Sequence, residues 1–181
     1  MQPPVRVSFV CSGNICRSPT AEIVLRSLAR DSNLAALVQV DSSGTGSWHR
    51  GDDMDERSRQ TLVDAGYSPG RHEAKQFDAG DFVTRDVIVA LDTGHRDVLW
   101  WLAADAEDVN AARAKIVMLR DFDPELGAGE KPDVADPYYG GTGGFGKVLA
   151  QVERSCAALL AAIARGVESG GGLQQTDKPL L

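Results

Sequence analysis

Cys11 and Arg17, six positions apart in Cys11-Ser12-Gly13-Asn14-Ile15-Cys16-Arg17-Ser18-Pro19, are residues whose types and spacing could do chemistry. A cysteine is a soft nucleophile once it loses its proton, and a guanidinium is a planar fork that holds two oxygens of an oxyanion at once. Together they suit attack on a phosphoryl group. Gly13 and Asn14, between them, tolerate left-handed backbone angles most cheaply, and such angles aim successive N–H groups inward as an anion-binding nest. Ser18 suits a helix N-cap and Pro19 the first helical position, so the positive end of a helix dipole is expected to point into the same loop. Ser18 can also donate a hydrogen bond to the sulfur. Inward N–H groups, the helix end and Arg17 all favour the thiolate form of Cys11 at neutral pH. Ser12, Gly13, Asn14, Ile15, Cys16 and Ser18 thus make an expected phosphate-binding loop around Cys11 and Arg17. A buried structural cysteine beside a surface arginine is the better reading of a bare Cys-five-residues-Arg spacing. It loses ground once strand, Gly-Asn, Ser-Pro and helix fall in register.

The flanking elements must position this loop. Val5 to Val10 is an alternating, β-rich run, and Ala21, Val24, Leu25 and Leu28 recur at helix spacing. Leu37 to Val40 reads as a second strand leading into the Gly/Ser-rich stretch Asp41 to His49. Trp48 in that stretch is either a lid over neighbouring core or a wall at the carboxyl edge of the sheet, where ligands bind. Asp52 or Asp53 is expected to cap a helix to Ala65, stopped by Gly66. Asp86 to Leu91 is the clearest buried strand, and Asp92-Thr93 caps a helix through Leu102, although Asp92 could instead support the site. One of Trp100 and Trp101 is expected to face the core. Lys115 to Leu119 reads as the last strand. A long loop then carries Asp136-Pro137-Tyr138-Tyr139-Gly140, and a closing helix shows the apolar stripe Phe145, Val148, Leu149, Val152, Cys156, Leu159, Leu160, Ile163. Strand and helix patterns alternate four times. This predicts an α/β fold: a single domain over residues 1–166, with a four-stranded parallel sheet, helices on both faces and the phosphate-binding loop after strand 1. Residues 167–181, rich in Gly, Gln and Ser, read as a disordered C-terminal tail.

Composition narrows the function. The 181 residues are enough for one full core, and the formal charge of −7 with no long basic run argues against nucleic-acid binding. No long apolar segment and no basic-plus-apolar leader at Met1 are seen, so neither membrane insertion nor Sec-type export is expected. Cysteines at 11, 16 and 156 suggest no disulfide scaffold and fit a reducing cytoplasm, with leaderless secretion left open. The three histidines, at 49, 72 and 95, lie far apart, so no metal and no cofactor are expected.

A thiolate attacking a phosphate ester expels an alkoxide or phenolate, which needs a proton on the far side of phosphorus. A carboxylic acid on a separate loop would supply it. Asp136 is the candidate, beside the aromatic surface of Tyr138 and Tyr139; Asp133 and Asp123 are the fallbacks. Asp-Pro as a simple turn starter is the competing reading.

The Cys11 to Pro19 motif, the Asp136 to Gly140 motif and the intervening Ser43-Gly44-Thr45-Gly46-Ser47-Trp48-His49 together resemble the low-molecular-weight protein tyrosine phosphatases, especially actinobacterial members. The resemblance spans about residues 5 to 165. It implies hydrolysis of phosphotyrosine through a phosphocysteine on Cys11. Arg17 and the loop N–H groups would bind phosphate, Asp136 would be general acid and then base, and Trp48, Ile15, Tyr138 and Tyr139 would wall the slot. It implies tyrosine-phosphorylated proteins as substrates, a tyrosine kinase as a further partner, and inhibition by phosphate-like oxyanions. Cys16 would be a redox partner of Cys11, though by itself it reads equally well as a packing residue. Arsenate reductases of similar fold use additional downstream cysteines, and none stands between Cys16 and Cys156. Phosphoarginine phosphatases tend to carry Thr where Ile15 stands. A silent phosphotyrosine-binding module would need neither nucleophile nor acid.

Overall fold

The computed structural model describes residues 3–141, 143–169 and 173. Four parallel strands, β1 (Val5–Cys11), β2 (Val38–Gly44), β3 (Val87–Ala90) and β4 (Ile116–Met118), are ordered β2-β1-β3-β4. The helices are α1 (Arg17–Asp31), α2 (Glu56–Asp64), α3 (Asp81–Thr84), α4 (Thr93–Leu102), α5 (Val109–Ala114) and α6 (Gly143–Glu168). The two central strands are covered on both faces, so they read as continuous apolar runs whose side chains still divide with period two. Val7, Phe9, Cys11, Val87, Val89 and Leu91 join the core that includes Val24 and Leu25 of α1 and Val152 and Leu159 of α6. Val10, Ile88, Ala90, Ile116 and Met118 join the opposite one, with Phe82, Leu99 and Ala112. The expected sheet and two-sided helical cover are present.

The register aligns Cys11 with Gly44 and Val10 with Ala90. The carboxyl ends of β1, β2 and β3 therefore open at one edge. The chain leaves β1 toward β2 on one side and returns to β3 on the other, which opens a crevice at that edge.

Several local expectations are corrected. Strand β2 runs on through Ser42, Ser43 and Gly44, because the buried Ser42 is paired: its hydroxyl donates to Glu22 Oε2 at 2.5 Å and accepts from Asn14 Nδ2 at 2.9 Å. Helix α1 begins at Arg17 with no side-chain cap, so Ser18 is not an N-cap. The cap of α2 is Asp55, not Asp52 or Asp53; its carboxylate accepts from Arg57 N, and Gly66 takes φ +90° beyond the helix end. Neither Trp100 nor Trp101 faces the core: they are 47 % and 71 % exposed, and His95 and Leu99 of the same helix fill the inward positions. Trp100 instead lies beside the guanidiniums of Arg96 and Arg113, at 6.0 and 5.6 Å. The last helix continues to Glu168, two residues past the expected domain boundary, with Val167 packed on the core. Of the expected tail, residues 170–172 and 174–181 lie outside the described residues.

Candidate active site

The turn from β1 to α1 is held from outside by its own carbonyls. Thr45 N donates to Cys11 O (2.8 Å), Gly46 N to Ser12 O (3.0 Å), Asp55 N to Ile15 O (2.8 Å) and Thr20 N to Cys16 O (3.2 Å), while His72 Nε2 sits 2.6 Å from Asn14 O. In a trans peptide the N–H points opposite to the C=O. Fixing these carbonyls outward therefore aims the N–H groups of residues 12, 13, 15, 16 and 17 at the centre of the turn, as an anion-binding nest.

Within this turn Asn14 alone takes the left-handed conformation, at φ 58°. Its buried amide locks it there, donating to Ser18 Oγ and Ser42 Oγ (2.9 Å each) and accepting from Lys75 N (3.0 Å). Gly13 does not adopt such an angle; a Cβ on it would lie 2.7 Å from the His49 ring. Gly44 matters for the same reason, since a Cβ there would lie 2.6 Å from Ser12 O. Freed from capping, the Ser18 hydroxyl lies 3.0 Å from Cys11 Sγ.

Arg17 is almost wholly buried. Its Nη1 donates to Asp92 Oδ2 (2.7 Å) and Val134 O (3.0 Å), and its Nη2 reaches Asp136 Oδ2 and His95 Nε2, each at 3.4 Å. Asp92 does both things left open for it: Oδ1 caps α4 by accepting from His95 N, and Oδ2 orients Arg17. His95 Nε2 also lies 2.8 Å from Ser12 Oγ. Burial, and then the charge of Arg17, push its imidazole down to about 4. Cys16 packs with Ile15, Ala74 and Phe145; burial, and then Asp55, push its thiol up to about 12, so it stays protonated at neutral pH.

A pocket of about 310 Å³ opens above the turn. Cys11, Ser12, Gly13, Ile15, Cys16 and Arg17 form its base, with Trp48, His49, Asp136, Tyr138 and Tyr139 around it. The structure thus brings together residues up to 128 positions apart (139 minus 11). Trp48, 67 % exposed, packs its ring over Gly46 and lines this pocket rather than covering core. The Asp136 side chain is 45 % exposed, so Tyr138 and Tyr139 leave it largely in water. Both fallback acids are committed elsewhere. Asp133 accepts from Thr93 N and Oγ1, and Asp123 is enclosed by Arg120 and Arg154.

His49, His72, His95 and the carbonyl of Val134 were not anticipated as site residues. For His95 a signal existed: Asp92 and His95 open the helix after β3, the strand next to β1, at the crevice edge. Among the described residues, no group of three or more His, Cys, Asp or Glu could hold a metal ion, and no helix is long and apolar enough to cross a membrane.

A family model described as low molecular weight phosphotyrosine protein phosphatase matches residues 6–169. A low molecular weight protein-tyrosine-phosphatase of Streptomyces coelicolor is 47 % identical over 163 residues, covering 90 % of this chain and 96 % of the relative. The low molecular weight protein-tyrosine phosphatase A of Mycobacterium tuberculosis is 41 % identical over 159 residues, covering 88 % and 91 %. The solved structure of a protein tyrosine phosphatase from Entamoeba histolytica superposes with a TM-score of 0.79 at 31 % identity, covering 92 % of this chain and 98 % of that one. The first turn of the parallel sheet faces a carboxylate across the slot. The chain belongs to the low molecular weight phosphotyrosine protein phosphatase family and is a phosphoric monoester hydrolase.

Proposed function

We propose that this phosphatase works in two displacements at one phosphorus. The Cys11 thiolate attacks; an S–P bond forms, the P–O bond to the tyrosine ring breaks, and Asp136 gives its proton to the leaving phenolate oxygen. The Asp136 carboxylate then takes a proton from water, whose oxygen attacks phosphorus and breaks the S–P bond, releasing phosphate. Arg17 and the inward N–H groups of the turn hold the phosphoryl oxygens as charge spreads over them. Ser18 stabilises the returning thiolate by donating its hydroxyl. The observation that carries this reading is the convergence of Cys11, Arg17 and Asp136 on one slot, with Arg17 bridging toward Asp136 at 3.4 Å.

Trp48, Ile15, Tyr138 and Tyr139 wall that slot, so an aryl phosphate reaches the sulfur while the shorter arm of phosphoserine stops short. Tyrosine-phosphorylated proteins are then the substrates, a tyrosine kinase acting on the same proteins is the natural counterpart, and phosphate-like oxyanions compete for the nest. Under peroxide, oxidation of Cys11 to the sulfenic acid lets the Cys16 thiol displace water and close a reversible disulfide. The cytoplasm suits this thiol chemistry.

The test is hydrolysis of phosphotyrosine, phosphoserine and phosphoarginine, with a series of aryl phosphates, by wild type, Cys11→Ser and Asp136→Asn in metal-free reducing buffer. Cys11→Ser should lose at least about 10⁴-fold in turnover, as removal of a nucleophile does. Asp136→Asn should lose about 10²-fold on poor leaving groups and progressively less on good ones. Retained turnover in Cys11→Ser, or a loss in Asp136→Asn independent of the leaving group, would refute the corresponding assignment.

A further inference from the structure

Asp136 stands on a long segment between Phe122 and α6 whose described residues form no helix or strand, and something must hold it at the slot. Arg120 sits in the 3₁₀ turn Leu119–Phe122 after β4, with its side chain only 5 % exposed, and it lines no part of the pocket. Its guanidinium spans three points of the segment: Nε donates to Asp123 Oδ2 (3.2 Å), and Nη1 to Glu130 Oε1 (3.0 Å) and to the backbone oxygen of Asp133 (3.2 Å). Asp123 is in turn fixed to α6, accepting from Arg154 Nε and Nη2 at 2.9 and 3.1 Å.

The peptide plane of the Asp133 carbonyl also carries the N–H of Val134, which donates to Leu91 O at 2.8 Å at the end of β3. With its oxygen on Arg120 and its N–H on Leu91, that plane is clamped at both ends. The next carbonyl, of Val134, accepts from Arg17 Nη1. Two arginines thus hold consecutive carbonyls: Arg17 belongs to the cradle, and Arg120 reaches only the segment. At about 3.3–3.6 Å per extended residue, the Asp136 backbone is within about 11 Å of this clamp, so a swivel there moves the carboxyl directly.

We propose that Arg120 is the positioning residue of the acid: it sets where the Asp136 carboxyl stands against the leaving oxygen and contributes nothing to phosphate binding. This deepens the two-displacement reading and rests on Asp136 as its acid. A buried ion cluster that only holds the fold together would look the same in the structure but not in kinetics. A displacement of about 1 Å at a proton donor can cost up to about 10²-fold, and it costs most where the leaving group needs the proton most.

The experiment compares Arg120→Met and Arg120→Lys, each alone and combined with Asp136→Asn, on phenyl phosphate and on nitrophenyl phosphate. Inhibition by vanadate and thermal unfolding are measured alongside. The lysine keeps the buried charge but cannot span three acceptors, which leaves a folded variant should the methionine destabilise the chain. Arg120→Met should slow phenyl phosphate turnover about 10-fold and nitrophenyl phosphate turnover about 2-fold, with Arg120→Lys between it and wild type. Vanadate inhibition should be unchanged, and neither substitution should slow Asp136→Asn further. An equal loss on both substrates, weaker vanadate inhibition, or a full additional loss in the Asp136→Asn background would overturn the role of Arg120 alone. Were Asp136→Asn itself insensitive to the leaving group, the acid assignment would fall, and the Arg120 inference with it.

Discussion

On the cradle side of the slot, Asn14, Arg17 and Ser18 are each less than 5 % exposed; on the facing wall, Tyr138 and Tyr139 are 38 % and 91 % exposed. The cradle is a short turn whose carbonyls are tied to the loop after β2, the cap of α2, the first turn of α1 and His72. The facing segment is tied at a few points, by Arg120 and Thr93 at Asp133, by Leu91 and Arg17 at Val134, and by Arg57 at Tyr138 O. The difference follows from what each must do. Oriented dipoles stabilise spreading charge only if they need not reorganise, and a turn braced through the carbonyls of residues 11, 12, 14, 15 and 16 suits that proposed role. The proposed acid that becomes a base would have to admit a substrate and then a water, which a side chain at the surface on a tethered arm suits.

The sharpest way to break this contrast is on the cradle. Arg17→Lys keeps the charge but loses the fork held by Asp92 and Val134 O; turnover should fall by about 10²–10³-fold, with oxyanion inhibition weakened alongside. Gly44→Ala tests the brace rather than the ligand. Its Cβ would press on the Ser12 carbonyl, so stability in urea should fall by about 1–3 kcal/mol and vanadate should bind less tightly. Unaltered vanadate inhibition would show that the cradle can shift without harm. On the facing rim the effects should be milder. Gly46→Ala would displace the Trp48 ring, and it should match Trp48→Ala in raising KM for phosphotyrosine by about 3- to 10-fold with kcat nearly constant.

A last test concerns His95, whose Nε2 lies beside both Ser12 Oγ and Arg17 Nη2. Because burial, and then the charge of Arg17, push the His95 imidazole from the usual 6.5 down to about 4, the unfolded chain binds a proton in that window that the folded chain does not. Stability should therefore fall as pH drops from 6.5 toward 4. His95→Asn should flatten that part of the urea-midpoint profile, and a slope equal to wild type would exclude His95 as its source.

The layout of the cradle was legible because it is contiguous: the order Cys11, Gly13, Asn14, Arg17, Ser18 is read directly, and the left-handed angle at Asn14 follows from residue type. The misreadings share one cause. Ser18 is a good cap by propensity, but in the fold its hydroxyl is taken by Cys11 and Asn14. Trp100 and Trp101 are apolar enough for core, but the phase of α4 is fixed by Leu99 and by His95 entering the site. Asp133 and Asp123 could not be told from Asp136 by type alone, because their distinction lies in Thr93, Arg120 and Arg154.

The sequence by itself determined the parallel sheet, the Cys11-to-Arg17 turn between strand and helix and the apolar stripe of α6, since each depends on neighbours within a few residues or on periodicity. Only the tertiary structure decided which carboxylate faces the slot, that Asp92 orients Arg17 as well as capping α4, and that Arg120 holds the segment carrying Asp136. The deciding contacts join residues 13 to 119 positions apart, and no local propensity encodes which of several like side chains the packed sheet will bring together.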